Sequence, residues 1–220
     1  MKRLLWMVVV SCVASGLLAD WAGNQRYAEA NKSVEPGSVV LFGDSITDGW
    51  PRARPQFFSE TKFVGRGISG QTTAQMLCRF RNDVINLKPK AVVILAGIND
   101  MAENNGPINT EDVVGNLASM YELAKANGIQ VVLCSVTPAA NFPWRLQITD
   151  AIARIEGLNK QLKAYADAQN IPWLEYNSLL NDGNGGMGDK ANDGLHPNQK
   201  GYEIMEGALL PFLTKLGLYK

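Results

Sequence analysis

Histidine and cysteine, the residues that most often bind transition metals, are scarce in this sequence. It contains one histidine and three cysteines among 220 residues, too few and too dispersed to favour a zinc site. Residues 182–189 alternate Asp and Asn with glycine at their start, but they lack the glycine and glutamate spacing of a calcium-binding loop. No metal site is therefore predicted.

The chain also lacks an excess of charge. Its 21 Lys and Arg balance its 21 Asp and Glu, and no basic cluster stands out, so a nucleic-acid partner is not expected. A P-loop is excluded because no Gly-Lys-Ser or Gly-Lys-Thr sequence occurs. With 46% apolar residues the chain can build one substantial core. We expect one domain that acts on small or neutral molecules, with the oligomeric state left open.

One long uncharged run is present, at the N-terminus. Met1-Lys2-Arg3 precedes the mostly apolar residues 4–18, and Ala19 follows. This pattern predicts a signal peptide over residues 1–19, an exported protein in the periplasm or outside the cell, and a mature domain over residues 20–220. A retained anchor is a weaker alternative, since a membrane helix needs about 20 apolar residues. Lipidation at Cys12 is less favoured because the apolar run continues beyond it.

The two remaining cysteines are predicted to stay reduced. Cys78 falls in a predicted helix and Cys134 in a predicted buried strand. A bridge between them is conceivable in an oxidising compartment, but free cysteine packs readily as a small apolar residue. We predict two separate buried thiols.

Short apolar runs alternate with longer segments of helical periodicity. The predicted strands are residues 39–42, 63–64, 91–96, 130–136 and 172–174. The predicted helices are a short one within residues 20–33, then residues 73–87, 111–127, 148–170 and 199–216. Apolar strands that alternate with helices are typical of a parallel sheet covered on both faces. The fold class predicted is α/β, a three-layer α/β/α sandwich with about five parallel strands.

Polar and glycine-rich segments follow three of these strands. They are Gly43-Asp44-Ser45, residues 65–70 and Gly97-Ile98-Asn99-Asp100. In parallel sheets, ligands bind outside the carboxyl ends of the strands, so the three segments are expected to converge. The turn before the last helix, Asp193-Gly194-Leu195-His196, is expected to return to the same edge. The single histidine would there meet a serine, which needs such a base to act as a nucleophile.

These four segments resemble, in order, the G-D-S, G-x-x-G, G-x-N-D and D-x-x-H blocks of the SGNH or GDSL hydrolases. The match spans nearly the whole predicted mature chain. It implies the flavodoxin-like fold of that family and an ester hydrolase activity without metal or organic cofactor. By the same resemblance Ser45 is the nucleophile, His196 is the base, and Asp193 orients the imidazole and stabilises its charged form.

Acyl transfer also needs hydrogen-bond donors aimed at the developing oxyanion. The resemblance implies that these are the backbone N–H groups of Ser45 and Gly70 and the side-chain amide of Asn99. Asp44 and Asp100 are interpreted as structural residues that hold turn amides. A histidine base also predicts that activity falls in acid, where imidazole is protonated.

Three large side chains are candidates for substrate binding. Trp50 follows the Ser45 turn, while Trp144 and Arg145 follow the fourth predicted strand. Aromatic faces and an arginine suit an acetylated sugar, and resemblance to secreted bacterial members in the N-terminal Asp-Trp and Arg-Tyr pairs favours acetyl esters of carbohydrate. Core packing is an equal alternative for both tryptophans.

Two other activities stay open at this stage. One is a lysophospholipase or thioesterase that acts on longer acyl chains. The other is a non-catalytic module that binds glycan, although such a module has no need of Ser45, Asp193 and His196 together.

Overall fold

Within residues 20–220, which the computed structural model describes, five strands form one parallel sheet. The strands are β1 (Val39–Gly43), β2 (Val64–Gly67), β3 (Ala91–Leu95), β4 (Gln130–Cys134) and β5 (Trp173–Leu174). Their spatial order is β2-β1-β3-β4-β5, the order of flavodoxin-like sheets, in which the ligand site lies where the winding reverses between β1 and β3. The prediction of a five-stranded parallel sheet is confirmed.

Helices cover both faces of the sheet. They are α1 (Ala28–Asn31), α2 (Ser45–Ala53), α3 (Pro55–Thr61), α4 (Thr73–Asp83), α5 (Ile98–Met101), α6 (Thr110–Ala126), α7 (Ala151–Gln169), α8 (Asn177–Leu180) and α9 (Gln199–Lys215). Short 3₁₀ turns occur at Ile85–Leu87 and Gly188–Lys190. No helix in residues 20–220 combines the length and hydropathy that crossing a membrane requires.

Alternation along β1 divides the core into two layers. Val40 and Phe42 point to the face covered by α4, α6 and α7. Val39 and Leu41 point to the opposite face, covered by α2, α3 and α9. Because successive side chains of a strand point to opposite faces, an uninterrupted apolar run fits a strand buried on both sides. The predicted three-layer sandwich is confirmed.

The structure corrects several local predictions. α2 and α3 lie in a stretch for which the sequence pattern predicted no helix, because Gly49, Pro51 and Pro55 interrupt its periodicity. The N-terminal helix is only the four residues of α1. Cys134 is buried as predicted, but Cys78 is exposed, and both thiols are free. The predicted signal segment and Cys12 lie outside the described residues.

Candidate active site

Ser45, His196 and Asp193 form a continuous chain of hydrogen bonds. His196 Nε2 lies 2.9 Å from Ser45 Oγ, and His196 Nδ1 lies 2.7 Å from Asp193 Oδ2. The other carboxylate oxygen, Asp193 Oδ1, accepts from the backbone N–H groups of Leu195 (3.1 Å) and His196 (2.8 Å). Leu195 is fully buried in the core, so it fixes this turn to the domain. The arrangement gives the serine a base and gives the base an orienting carboxylate.

The pKa of Asp193 is lower than its ordinary value. Partial burial alone would raise it, but the hydrogen bonds from the backbone and ring of His196 and from the backbone of Leu195 favour the charged carboxylate and outweigh burial. Asp193 is therefore ionised at neutral pH, as a group that stabilises an imidazolium must be.

Close packing of β2 against α2 fixes the position of the serine. β1 ends at Gly43, and Asp44 caps α2 by accepting from the backbone N–H of Ile46 at 3.1 Å. Ser45 is the first residue of α2, where backbone N–H groups have no partner within the helix. A Cβ on Gly67 would lie 2.1 Å from the backbone nitrogen of Asp48 and 2.6 Å from the carbonyl oxygen of Asp44. Only glycine allows β2 to approach this closely.

The predicted oxyanion donors surround the same space. A cavity of about 410 Å³ is lined by Ser45, Gly70, Asn99 and His196, with Ser69, Asn104 and Trp144 completing its wall; we call it the catalytic cavity. Gly70 has a φ of +79°, which favours glycine, and within residues 20–220 its backbone N–H donates to no other group. Asn99 Nδ2 donates to the Gln71 carbonyl at 3.0 Å, which leaves its second hydrogen for a ligand.

Comparison with known proteins gives the same family that the four sequence blocks resemble. The sequence model described as the GDSL-like lipase/acylhydrolase family matches residues 41–204. The chain belongs to this family. Membership implies ester hydrolase activity.

The names of two relatives agree with this assignment, and a third relative is uncharacterised. A GDSL-like lipase from Bacteroides thetaiotaomicron is 46% identical, with a TM-score of 0.83 over 90% of this chain and 98% of that one. Esterase TesA of Pseudomonas aeruginosa is 26% identical over 87% of this chain and 89% of its own. The uncharacterised lipoprotein YqeF of Bacillus subtilis is 33% identical over 118 residues. That match covers 46% of this chain and 48% of the length of YqeF.

Asn104 is a part of this GDSL site that the sequence did not reveal. Its Nδ2 donates to the Gly70 carbonyl at 3.0 Å and to Asn99 Oδ1 at 2.9 Å. Its Oδ1 accepts from the indole N–H of Trp144 at 2.7 Å. Asn104 thus joins two predicted oxyanion residues to the cavity wall. No motif marks it, since an asparagine in a polar loop is common.

A fully buried arginine supports the loops that follow β1 and β2. Arg79 donates to the carbonyls of Gly43 (2.8 Å) and Arg66 (3.0 Å) and to Gln71 Oε1 (2.6 Å). Asp83 Oδ2 pairs with it at 3.0 Å. Burial lowers the pKa of Arg79, and Asp83 opposes that shift. No sequence pattern marks this role, because an arginine in a helix is usually a solvated residue.

The two acids within the first and third blocks, Asp44 and Asp100, make structural contacts, as interpreted from the sequence. Asp44 caps α2, and Asp100 accepts from the backbone N–H (2.9 Å) and hydroxyl (2.7 Å) of Thr73 at the start of α4. Burial raises the pKa of Asp44 to about 7 and that of Asp100 to about 6. Neither touches Ser45 Oγ or the ring of His196 within the hydrogen bonds of the described residues.

Of the three predicted substrate-binding residues, one lines the catalytic cavity and two do not. Trp144 lines the catalytic cavity. The prediction for Trp50 is wrong: it is 3% exposed and packs in the core between Phe57 and Tyr202, because α2 turns that side chain toward α9. Arg145 is not among the residues that line the catalytic cavity, and its guanidinium donates to the Glu103 carbonyl at 3.4 Å.

Proposed function

We propose that this protein is a serine esterase that hydrolyses short-chain esters, acetyl esters of carbohydrate in particular, through an acyl-enzyme. The observation that carries the proposal is the hydrogen-bonded chain from Ser45 Oγ through His196 to Asp193. This geometry satisfies the distance that a nucleophile and its general base require.

The proposed reaction has two steps that use the same groups. Ser45 Oγ attacks the acyl carbon while its proton passes to His196 Nε2, and the carbonyl oxygen becomes an oxyanion. His196 then gives that proton to the alcohol oxygen as the carbon–oxygen bond breaks, which leaves an acyl-serine. Water attacks the acyl-serine, His196 takes the water's proton and returns it to Ser45 Oγ, and the acid departs. No cofactor takes part in either step.

Three donors are proposed to stabilise the oxyanion in both steps. They are the backbone N–H groups of Ser45 and Gly70 and the second hydrogen of Asn99 Nδ2. Because these donors are held by the fold, they need little reorganisation when charge develops.

The wall of the catalytic cavity favours a short acyl group. Of its seven lining residues only Trp144 carries a large apolar side chain. A long acyl chain gains about 0.8 kcal/mol for each CH₂ that it buries, and this wall supplies one large apolar side chain for that purpose. This argues for acetyl esters over the substrates of a lysophospholipase or a long-chain thioesterase.

Removal of the proposed nucleophile and base tests the chemistry. We expect Ser45→Ala and His196→Ala each to lower kcat on 4-nitrophenyl acetate by about 10⁶-fold, because removing one residue of a catalytic unit costs about as much as removing the whole unit. Ser59→Ala, which removes an exposed hydroxyl bonded to the Gln56 carbonyl on α3, is the matched control and should keep the wild-type rate. Thermal unfolding should show that the inactive variants keep a native fold, and wild-type turnover by Ser45→Ala would refute the mechanism.

A chain-length series tests the acyl preference. We expect kcat/KM to fall from 4-nitrophenyl acetate to butyrate to octanoate. A maximum at octanoate would instead favour the long-chain alternative. Absence of turnover on all three esters, in a folded protein, would favour the glycan-binding module.

We also propose that the chain is exported and that residues 20–220 form the mature domain. The basic start and uncharged run of residues 1–19 support export, and one relative is named a lipoprotein. N-terminal sequencing of the protein recovered from the periplasm or medium tests both points. A mature N-terminus at Cys12 bearing lipid would favour the lipoprotein alternative, and an uncut N-terminus would contradict processing.

A further inference from the structure

A second cavity, of about 490 Å³, adjoins the catalytic cavity; we call it the outer cavity. The two share Ser69, Gly70, Asn104 and Trp144 as lining residues. Since an acetyl group has one carbon beyond its carbonyl, it ends inside the catalytic cavity. The alcohol part of the ester is then the part that extends into the outer cavity.

Two tryptophans expose their side chains around the outer cavity. Trp21 is 53% exposed and Trp144 is 43% exposed, and both line this cavity. A sugar ring presents C–H groups on its faces, which pack on an aromatic face, and hydroxyls around its edge, which seek polar partners. Gln75 and Asn105, also in the lining, are such partners. Gln75 donates one Nε2 hydrogen to the Trp21 carbonyl and keeps the second for a ligand. Asn105 donates to Thr72 Oγ1 and Gln75 Oε1, both at 2.8 Å, so its Oδ1 remains an acceptor for a hydroxyl.

The backbone that carries Trp21 is fixed although its side chain is exposed. Gln75 Nε2 donates to the carbonyl of Trp21, and Gln71 Nε2 donates to the carbonyl of Ala22, each at 2.7 Å. Gln71 is buried and is itself held by Arg79. A tryptophan left half in water adds little to stability, whereas an aromatic side chain on a fixed backbone has only its side-chain torsions to order when it binds a ligand.

The charge of the outer cavity disfavours an anionic ligand. Asp20 is the one charged residue among those that line it, and no Lys or Arg is present there. Backbone hydrogen bonds from Gln25 and Asn24 lower the pKa of Asp20, so it is ionised at neutral pH. A phosphate or a uronate would meet a like charge without a cation to pair with.

We propose that the outer cavity is a binding subsite for a neutral sugar residue, which stacks on Trp21 and Trp144 and hydrogen-bonds to Gln75 and Asn105 while the ester it carries lies at Ser45. The subsite rests on the proposed esterase function and adds to it the recognition of the alcohol. Trp21 and Trp144 then determine specificity without taking part in the chemistry.

Binding is measured first, in the Ser45→Ala protein, by calorimetry with xylohexaose, cellohexaose and mannohexaose, and with an oligogalacturonide of the same length. At least one neutral oligosaccharide should bind, and the oligogalacturonide should bind more weakly. Adding Trp21→Ala or Trp144→Ala should weaken that binding by about tenfold, which corresponds to about 1.4 kcal/mol. Leu179→Ala is the matched control, since it removes an equally exposed apolar side chain (45%) outside both cavities.

Three results would overturn the subsite: no binding of any neutral oligosaccharide, tighter binding of the oligogalacturonide, or equal affinity of the Trp21→Ala and Leu179→Ala proteins. Kinetics with active enzyme separate this proposal from the esterase itself. Trp21→Ala should raise KM for acetylated xylo-oligosaccharide by about tenfold with an unchanged kcat, whereas Leu179→Ala, outside both cavities, should keep the wild-type rate on that ester and on 4-nitrophenyl acetate. If the wild type hydrolyses neither ester, the esterase proposal fails while the binding measurement still decides the subsite.

Discussion

Asn104 sets the orientation of the Asn99 side chain. Asn104 Nδ2 donates to Asn99 Oδ1 at 2.9 Å, and Asn99 Nδ2 donates to the Gln71 carbonyl at 3.0 Å. A flipped Asn99 amide would place its oxygen against that carbonyl and next to a developing oxyanion. The bond from Asn104 therefore keeps a donor, and not an acceptor, facing the catalytic cavity.

A double-mutant cycle tests this coupling. We expect Asn99→Ala to lower kcat on 4-nitrophenyl acetate by about 10²- to 10³-fold, as loss of an oxyanion donor does. Asn104→Ala should lower kcat by a smaller factor with little change in KM, since it only misorients the donor. In the Asn99→Ala background, Asn104→Ala should have a smaller effect than in the wild type, because coupled residues are not additive and only the bonds to the Gly70 carbonyl and the Trp144 indole are then left to lose. Fully additive losses would show that Asn104 does not act through Asn99.

The two oxygens of Asp193 make different bonds, so Asp193→Asn separates structure from catalysis. An asparagine oxygen can still accept from the backbone of Leu195 and His196, which preserves the turn. Its NH₂ would then face His196 Nδ1 and force the proton onto Nε2, where it blocks acceptance from Ser45 Oγ. We expect kcat to fall by about 10⁴-fold with an unchanged melting temperature. A loss below tenfold would contradict the role proposed for this carboxylate.

The sheet and the ends of its strands were predictable from the sequence because they follow from local patterns. β1 and β3 read as strands since each is an apolar run buried on both faces. The sequence pattern predicts no helix at α2, because Gly49 and Pro51 interrupt its apolar periodicity. Packing against β2 stabilises the helix in spite of them. Tertiary contacts here override weak local preference.

The candidate site shows the same division. Ser45, Asn99, Asp193 and His196 stand in sequence blocks with a recognisable order. Asn104 and Arg79 act through contacts with backbone carbonyls distant in sequence, such as Gly70 and Gly43. Such bonds depend on three-dimensional proximity and have no sequence spacing, so only the structure reveals them.

Truncation of Trp50 and of Trp144 should change the stability of the protein by different amounts. Trp50 is buried against Phe57 and Tyr202, and its indole N–H donates to Glu206 Oε1 at 3.0 Å. We expect Trp50→Ala to lower the free energy of unfolding by about 3–5 kcal/mol, measured by urea denaturation. Trp144→Ala, at an exposed position, should change stability by less than about 1 kcal/mol. A destabilisation of equal size in both variants would contradict the correction made for Trp50.

The buried carboxyl of Asp44 makes stability depend on pH in a direction that can be stated. Burial, aided by the nearby charge of Asp100 and opposed by the Ile46 hydrogen bond, by His196 and by Arg79, raises the pKa of Asp44 to about 7 from 3.8. The folded state therefore binds a proton more tightly than the unfolded state. This contribution is complete below about pH 4, declines as pH rises to about 7, and is then lost.

Asp44→Asn removes that dependence, since its amide oxygen can still cap Ile46 and carries no charge at any pH. Relative to the variant, the wild type should lose up to about 4 kcal/mol of unfolding free energy between pH 4 and pH 7.5. Urea denaturation of both proteins at several pH values measures the difference, in which Asp100 and all other titrating groups largely cancel. The difference in unfolding free energy between the wild type and the variant could instead stay constant with pH, or the wild type could gain stability relative to the variant as pH rises. Either result would mean that Asp44 is ionised in the fold at neutral pH without cost.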